Sequence, residues 1–151
     1  MCIMNKLFSY LLLTLSVVLM FSCDKLPSIN DLSGVYNGTI DVEYNDADIA
    51  KSLPATATLT VPSDDEDKVM LELKIQALDI LPVSEFNVKC NLHKSQDKDE
   101  YILNGSTTLD IPEVGQIPFS VTGELDKKEL DFTVTALTNY LTIEVDFEGR
   151  K

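Results

Sequence analysis

The sequence predicts an all-β fold, an eight-stranded antiparallel up-and-down β-barrel, on three observations. From Leu32 onward apolar and polar residues alternate, which is the period of a half-buried strand whose successive side chains point to opposite faces. The alternating segments are joined by brief polar turns of the kind that link neighbouring antiparallel strands. Strands taken in this order can also close on themselves, which removes the exposed edges that invite aggregation.

The elements follow in chain order. "MCIMNKLFSYLLLTLSVVLMFSC" carries Lys6, an apolar run of 15 residues from Leu7 to Phe21, then Ser22 and Cys23. The run is short for a membrane span, which needs about 20 residues, and it has the layout of an export signal. A small residue directly before a cysteine is what the lipoprotein signal peptidase requires, so residues 1–22 read as a lipoprotein signal peptide that is removed and Cys23 as the lipidated new terminus. Met20 and Phe21 depart from the strict pattern and match its looser Gram-negative form. An uncleaved anchor, or an ordinary signal with an incidental cysteine, is the alternative. Met4 reads as a second candidate start, and Cys2 is lost in either case. Residues 23–31 then form a lipidated tether, in which Asp24 to Asn30 contains Pro27, has no periodicity and reaches about 25 Å at most.

Residues 32–151 form the barrel domain. In "GVYNGTIDVEY" Tyr36, Ile40, Val42 and Tyr44 share a face with Gly38. Asn45 to Leu53 lacks clear strand character and predicts a short helical turn begun by an Asn or Asp cap. Ala55, Ala57, Leu59 and Val61 define the second strand, and Val69, Leu71, Leu73 and Ile75 the third. Phe86, Val88, Cys90 and Leu92 define the fourth. The last four span Glu100 to Asp110, Ile117 to Leu125, Glu129 to Thr138 and Tyr140 to Glu148. Turns fall at Asp64–Asp67, Lys94–Asp99 and Asp126–Lys128. Pro118 stands near the head of its strand, where a missing donor is tolerated.

Two other architectures share this pattern. A two-sheet sandwich would need longer crossovers than these turns permit. A transmembrane barrel would present its apolar face to lipid, but aromatic residues make up 7% of the chain, Trp is absent, and the sequence closes on Gly149-Arg150-Lys151.

"LSGVYNGTI" (Leu32 to Ile40), the alternating middle and "YLTIEVDFEGRK" (Tyr140 to Lys151) together resemble the calycin-like β-barrel domain of Gram-negative lipoproteins, related in shape to the lipocalins. The resemblance covers Leu32 to Lys151. Lipocalins open their first strand with Gly-x-Trp and set a basic residue near the last strand over that ring. The resemblance assigns those places to Gly34, Tyr36 and Arg150 or Lys151, with Tyr in place of Trp, an ordinary strand-start tyrosine being the plain alternative.

Charge and chemistry narrow the function. The 12 basic residues fall to 11 once Lys6 is removed, against 25 acids, for a net charge of −14. Such a surface repels nucleic acid and anionic lipid headgroups. His93 is the one histidine, so no two-histidine metal site forms within the chain. Cys90 and His93, three apart on a strand, face opposite sides, which defeats a nucleophile dyad; Cys90 reads as core. With Cys23 acylated, Cys90 has no partner for a disulfide. Asp64, Asp65, Glu66 and Asp67 lack the alternation and glycine of a calcium loop and read as a solvated turn. No cofactor, metal or catalytic residue is expected, so the protein reads as no enzyme.

Binding or support remains. The inner face sets Gly38, Ala55, Ala57, Gly105 and Gly123 beside Tyr36, Tyr44, Leu59, Phe119 and Phe132. The five bulky residues are the candidate ligand-binding set. The small ones either line a pocket or let large neighbours interdigitate, and the second is the plainer reading because burial of the inward side chains opposes chain entropy. The expectation is therefore an outer-membrane lipoprotein, anchored in a leaflet left open, that binds a small hydrophobic molecule. The alternative is a filled, structural barrel that meets an envelope protein through its loops. Met70, Ile102 and Leu137 are the outward apolar residues expected.

Overall fold

The computed structural model describes residues 27–62, 67–76, 85–111, 113–138 and 140–151. The signal segment, the lipidation candidate Cys23 and most of the Asp64–Asp67 run lie outside these residues. A short helix α1 (Ile29–Leu32) precedes eight strands: β1 (Gly34–Tyr44), β2 (Ala47–Thr60), β3 (Lys68–Ile75), β4 (Glu85–Lys94), β5 (Tyr101–Ile111), β6 (Gly115–Leu125), β7 (Glu129–Leu137) and β8 (Thr142–Arg150). Each pairs antiparallel with the next, and β8 returns to β1 over Asn37↔Arg150 to Tyr44↔Ile143, so the sheet is a closed barrel.

Alternation produces the expected two faces. Along β4 Phe86, Val88, Cys90 and Leu92 are buried while the residues between them are exposed. The other strands follow the same parity, and no polar or charged side chain is buried among the described residues. The outer face presents Asp41, Glu72, Lys74, Lys89, Glu124, Asp131 and Glu148 along its strands. A lipid-embedded barrel has the opposite arrangement.

Two elements differ from expectation: Ile29–Leu32, read in part as an aperiodic tether, form α1, and the segment after β1 is a hairpin. Residues 45–53 hold no helical turn. Asn45 and Asp46 have φ values of 47° and 63°, the pair of left-handed residues that a tight two-residue hairpin turn requires. Asn and Asp tolerate that conformation better than other side chains with a Cβ, and the chain returns at Ala47 opposite Tyr44. Pairing with β1 overrides the local capping signal. Irregularities near Val42 and a positive φ at Ser52 absorb the mismatch, and Ser52 N donates to Asp41 Oδ1 at 2.7 Å.

Two ends of the barrel differ. At one, α1 lies across the opening and buries Leu32 completely, with Ile29 packed against the core. Tyr36 Oη donates to the Leu32 carbonyl at 2.7 Å, Tyr101 Oη to the Pro27 carbonyl at 3.0 Å and Lys151 Nζ to the Asp31 carbonyl at 2.7 Å. Below this cap Phe132 and Phe147 stack at 4.9 Å between centroids. The glycines of the inner face serve this packing: a Cβ at Gly38 would collide with the Glu148 carbonyl, and one at Gly123 with the Asp131 carbonyl. These positions let adjacent strands approach closely.

Candidate functional site

Among the described residues no element covers the opposite end. In an up-and-down barrel the last residues of the odd strands and the first residues of the even strands meet at one rim, and here they enclose a cavity of about 310 Å³. Its deep wall includes Val42, Leu73, Phe86, Phe119, Val134 and Val145, and its upper part Tyr44, Ile49, Val114, Leu141 and Ile143. Among the described lining residues the Tyr44 hydroxyl is the one polar side-chain group. Phe86 and Phe119 meet at 5.6 Å with tilted rings on one side.

Why a void forms here follows from side-chain size. On β1, β7 and β8 the inward positions of the capped half carry Tyr36, Phe132 and Phe147. In the open half the same strands carry Val42, Val134 and Val145, which are cross-strand neighbours. Eight strands enclose an interior that large side chains just fill. Three adjacent valines fall short of the axis.

The candidate ligand-binding residues divide accordingly. Tyr44 and Phe119 line the cavity. Tyr36, Leu59 and Phe132 do not: they are buried in the capped half, where α1 and the aromatic stack leave them no free face. Their inward parity was readable, but parity does not say which end a residue occupies. The valines and Ile143 were passed over because they are smaller than the aromatics. Strand order carries the missing signal, since inward residues late in odd strands and early in even ones must share a mouth.

Apolar exposure concentrates at this mouth. Val114 is 63% exposed, Leu137 65% and Tyr140 92%, and Tyr44 and Ile49 are exposed beside them, against Val35 at the capped end among the described residues. Met70 and Ile102 are exposed on the outer wall as expected, but they are the weaker part of the apolar surface.

At the capped end Lys151 settles the choice between two basic residues. Its Nζ lies 5.3 Å from the Tyr36 ring centroid, within cation–π range, while Arg150 pairs with Glu129 at 2.8 Å. Burial, with Asp126 adding to it, pushes the Tyr36 hydroxyl up to about 12. Cys90 is fully buried and burial pushes its thiol up to about 12, whereas His93 points outward and is exposed. The two share no site. Among the described residues no three His, Cys, Asp or Glu side chains come together as metal ligands.

Comparison with known proteins follows the same geometry. No curated protein matches the sequence. The crystal structure of a putative outer membrane protein from Bacteroides fragilis superposes with a TM-score of 0.58 at 20% identity, over 83% of this chain and 53% of that one. The chain thus spans about half the length of that protein, and the likeness is one of fold. The family profile for the calycin-like beta-barrel domain matches residues 32–150. With that match over most of a barrel closed in the order β1 to β8, the chain belongs to the calycin-like β-barrel domain family.

Proposed function

We propose that this protein is a non-enzymatic, lipid-anchored lipoprotein of the outer membrane whose open barrel end binds a small hydrophobic ligand. The cavity carries the reading: about 310 Å³ lies at the lower edge of the range of small-molecule sites, roughly 300–1,000 Å³, and its apolar lining is of the usual kind. The fold shared with a Bacteroides fragilis protein named for the outer membrane, together with the signal-like segment ending at Cys23, supports the address.

Binding is tested with a neutral apolar fluorophore, N-phenyl-1-naphthylamine, on the mature chain. Saturable enhancement is expected, and Val145→Phe, which fills the cavity, is expected to abolish it with the circular-dichroism spectrum unchanged. Enhancement that survives Val145→Phe removes the cavity from the reading. Native mass spectrometry of protein taken from its own membrane shows a retained ligand directly. Labelled palmitate should mark the wild type and not Cys23→Ser; equal labelling of both defeats the anchor.

The apolar rim supports a second reading, in which Val114, Leu137 and Tyr140 contact an envelope protein. Leu137→Ser with Tyr140→Ser would then abolish co-purification of one defined partner and leave fluorophore binding intact.

A further inference from the structure

The cavity and its rim differ sharply in charge, and that difference restricts the ligand. This step rests on the binding reading above. Among the described lining residues no side chain other than Tyr44 offers a polar atom, and no charged side chain is buried among the described residues. A ligand with a polar group has no partner for it inside, and burying that group unpaired is costly. The group must stay at the mouth, and the hydrocarbon must enter first. At roughly 30 Å³ per water-sized unit, about the space a methylene occupies, 310 Å³ takes a chain of roughly ten carbons.

The mouth then meets the head. Asp46 stands in the β1–β2 turn and Asp48 follows it, Asp110 stands beside Ile111 at the end of β5, Glu113 lies in the β5–β6 turn, and Glu85 opens β4. The cations at these strand ends are already engaged: Lys51 with Asp48 at 2.8 Å, and Lys74 with Glu72. We infer that the ligand is a single-chain amphiphile of about ten carbons, bound tail first, with a cationic head preferred over a neutral one and an anionic head rejected.

The test is displacement of N-phenyl-1-naphthylamine from the mature chain by three ten-carbon amphiphiles below their micelle concentrations: decyltrimethylammonium, decyl glucoside and decanoate. At about 0.01 M ionic strength, where the screening length is roughly 30 Å, decanoate is expected to need at least about tenfold more than decyltrimethylammonium, with the glucoside between. At about 1 M salt, where screening reaches roughly 3 Å, the gap should close. Asp48→Asn with Glu113→Gln, both on exposed side chains, should narrow the gap at low salt. Equal displacement by all three, or a preference for decanoate, overturns the inference and leaves the binding reading standing. Failure of the wild type to bind the fluorophore at all overturns both.

Discussion

The two halves of this barrel are built from the same strands with the same alternation, and only one of them is full. In the capped half Tyr36, Phe132 and Phe147 meet near the axis, and α1 adds Leu32 from above. In the open half valines occupy the corresponding strands. Parity decides which side chains point inward; side-chain volume at successive levels decides whether they touch. A closed barrel can therefore divide its labour along its axis, with stability concentrated where the aromatics stack and capacity for a guest where they give way.

The comparison breaks most visibly on truncation. Phe147→Ala, at the centre of the stack, should cost about 3–5 kcal/mol of unfolding free energy, as large-to-small changes in a packed core do. Val145→Ala, two residues along on the same strand but facing the cavity, should cost about 1–2 kcal/mol because its side chain already lacks neighbours on one side. Urea unfolding monitored by circular dichroism gives both values. Equal losses would mean that the open half is as tightly packed as the capped one.

Much of this division was legible in the sequence. The eight strands, their order and the inward faces follow from alternation and brief turns, and Asp126 shows why such turns work: its Oδ1 accepts from the Lys128 and Glu129 amides. The hairpin at Asn45-Asp46 was misread because a capping residue and a left-handed turn residue are the same amino acids, and only the partner strand chooses between them. Three of five candidate site residues were misplaced for a related reason. Bulk marks a residue as important to a core, but a cavity is marked by the lack of bulk. The rim was read only through Leu137: Val114 lies in a connection, where alternation has no meaning, and Tyr140, expected to open the last strand, precedes β8. By contrast, the pairing of a basic residue with Tyr36 came from the family resemblance, and the structure assigns it to Lys151.

A smaller effect separates the halves by pH. Tyr36 ordinarily ionises near 10.0 and Cys90 near 9.0, and burial pushes both up to about 12 in the folded chain. The folded state thus keeps protons that the unfolded state releases. The stabilisation is complete below about pH 9 and is lost as pH rises toward 12. Urea midpoints measured across this interval should fall steeply. Cys90→Ala should flatten the early part, and Tyr36→Phe the later part at the cost of the bond to Leu32. A midpoint that stays level to pH 11 would show that neither group is held away from water. Cys90 should also ignore thiol reagents until the barrel unfolds.

The smallest effect lies on the outside of the open end. Glu43 stands directly opposite Glu144, and Asp41 opposite Asp146, and like charges facing each other across strands are destabilising. Desolvation, then Asp48, Glu144 and Asp146, raise the Glu43 carboxyl above its ordinary 4.5, with Lys51 pulling the other way. Its protonated form is therefore favoured by folding, so this site weakens the barrel as pH rises through the raised value and ceases to do so below it. Glu43→Gln should raise Tm by about 1–3 °C at neutral pH, with the gain shrinking in high salt and as pH approaches 4.5. At the capped end Glu129 pairs with Arg150, and Glu129→Gln should leave Tm level or slightly lower. If the two substitutions shift Tm in the same direction, the acidic facing pairs of β1 and β8 are fully solvated.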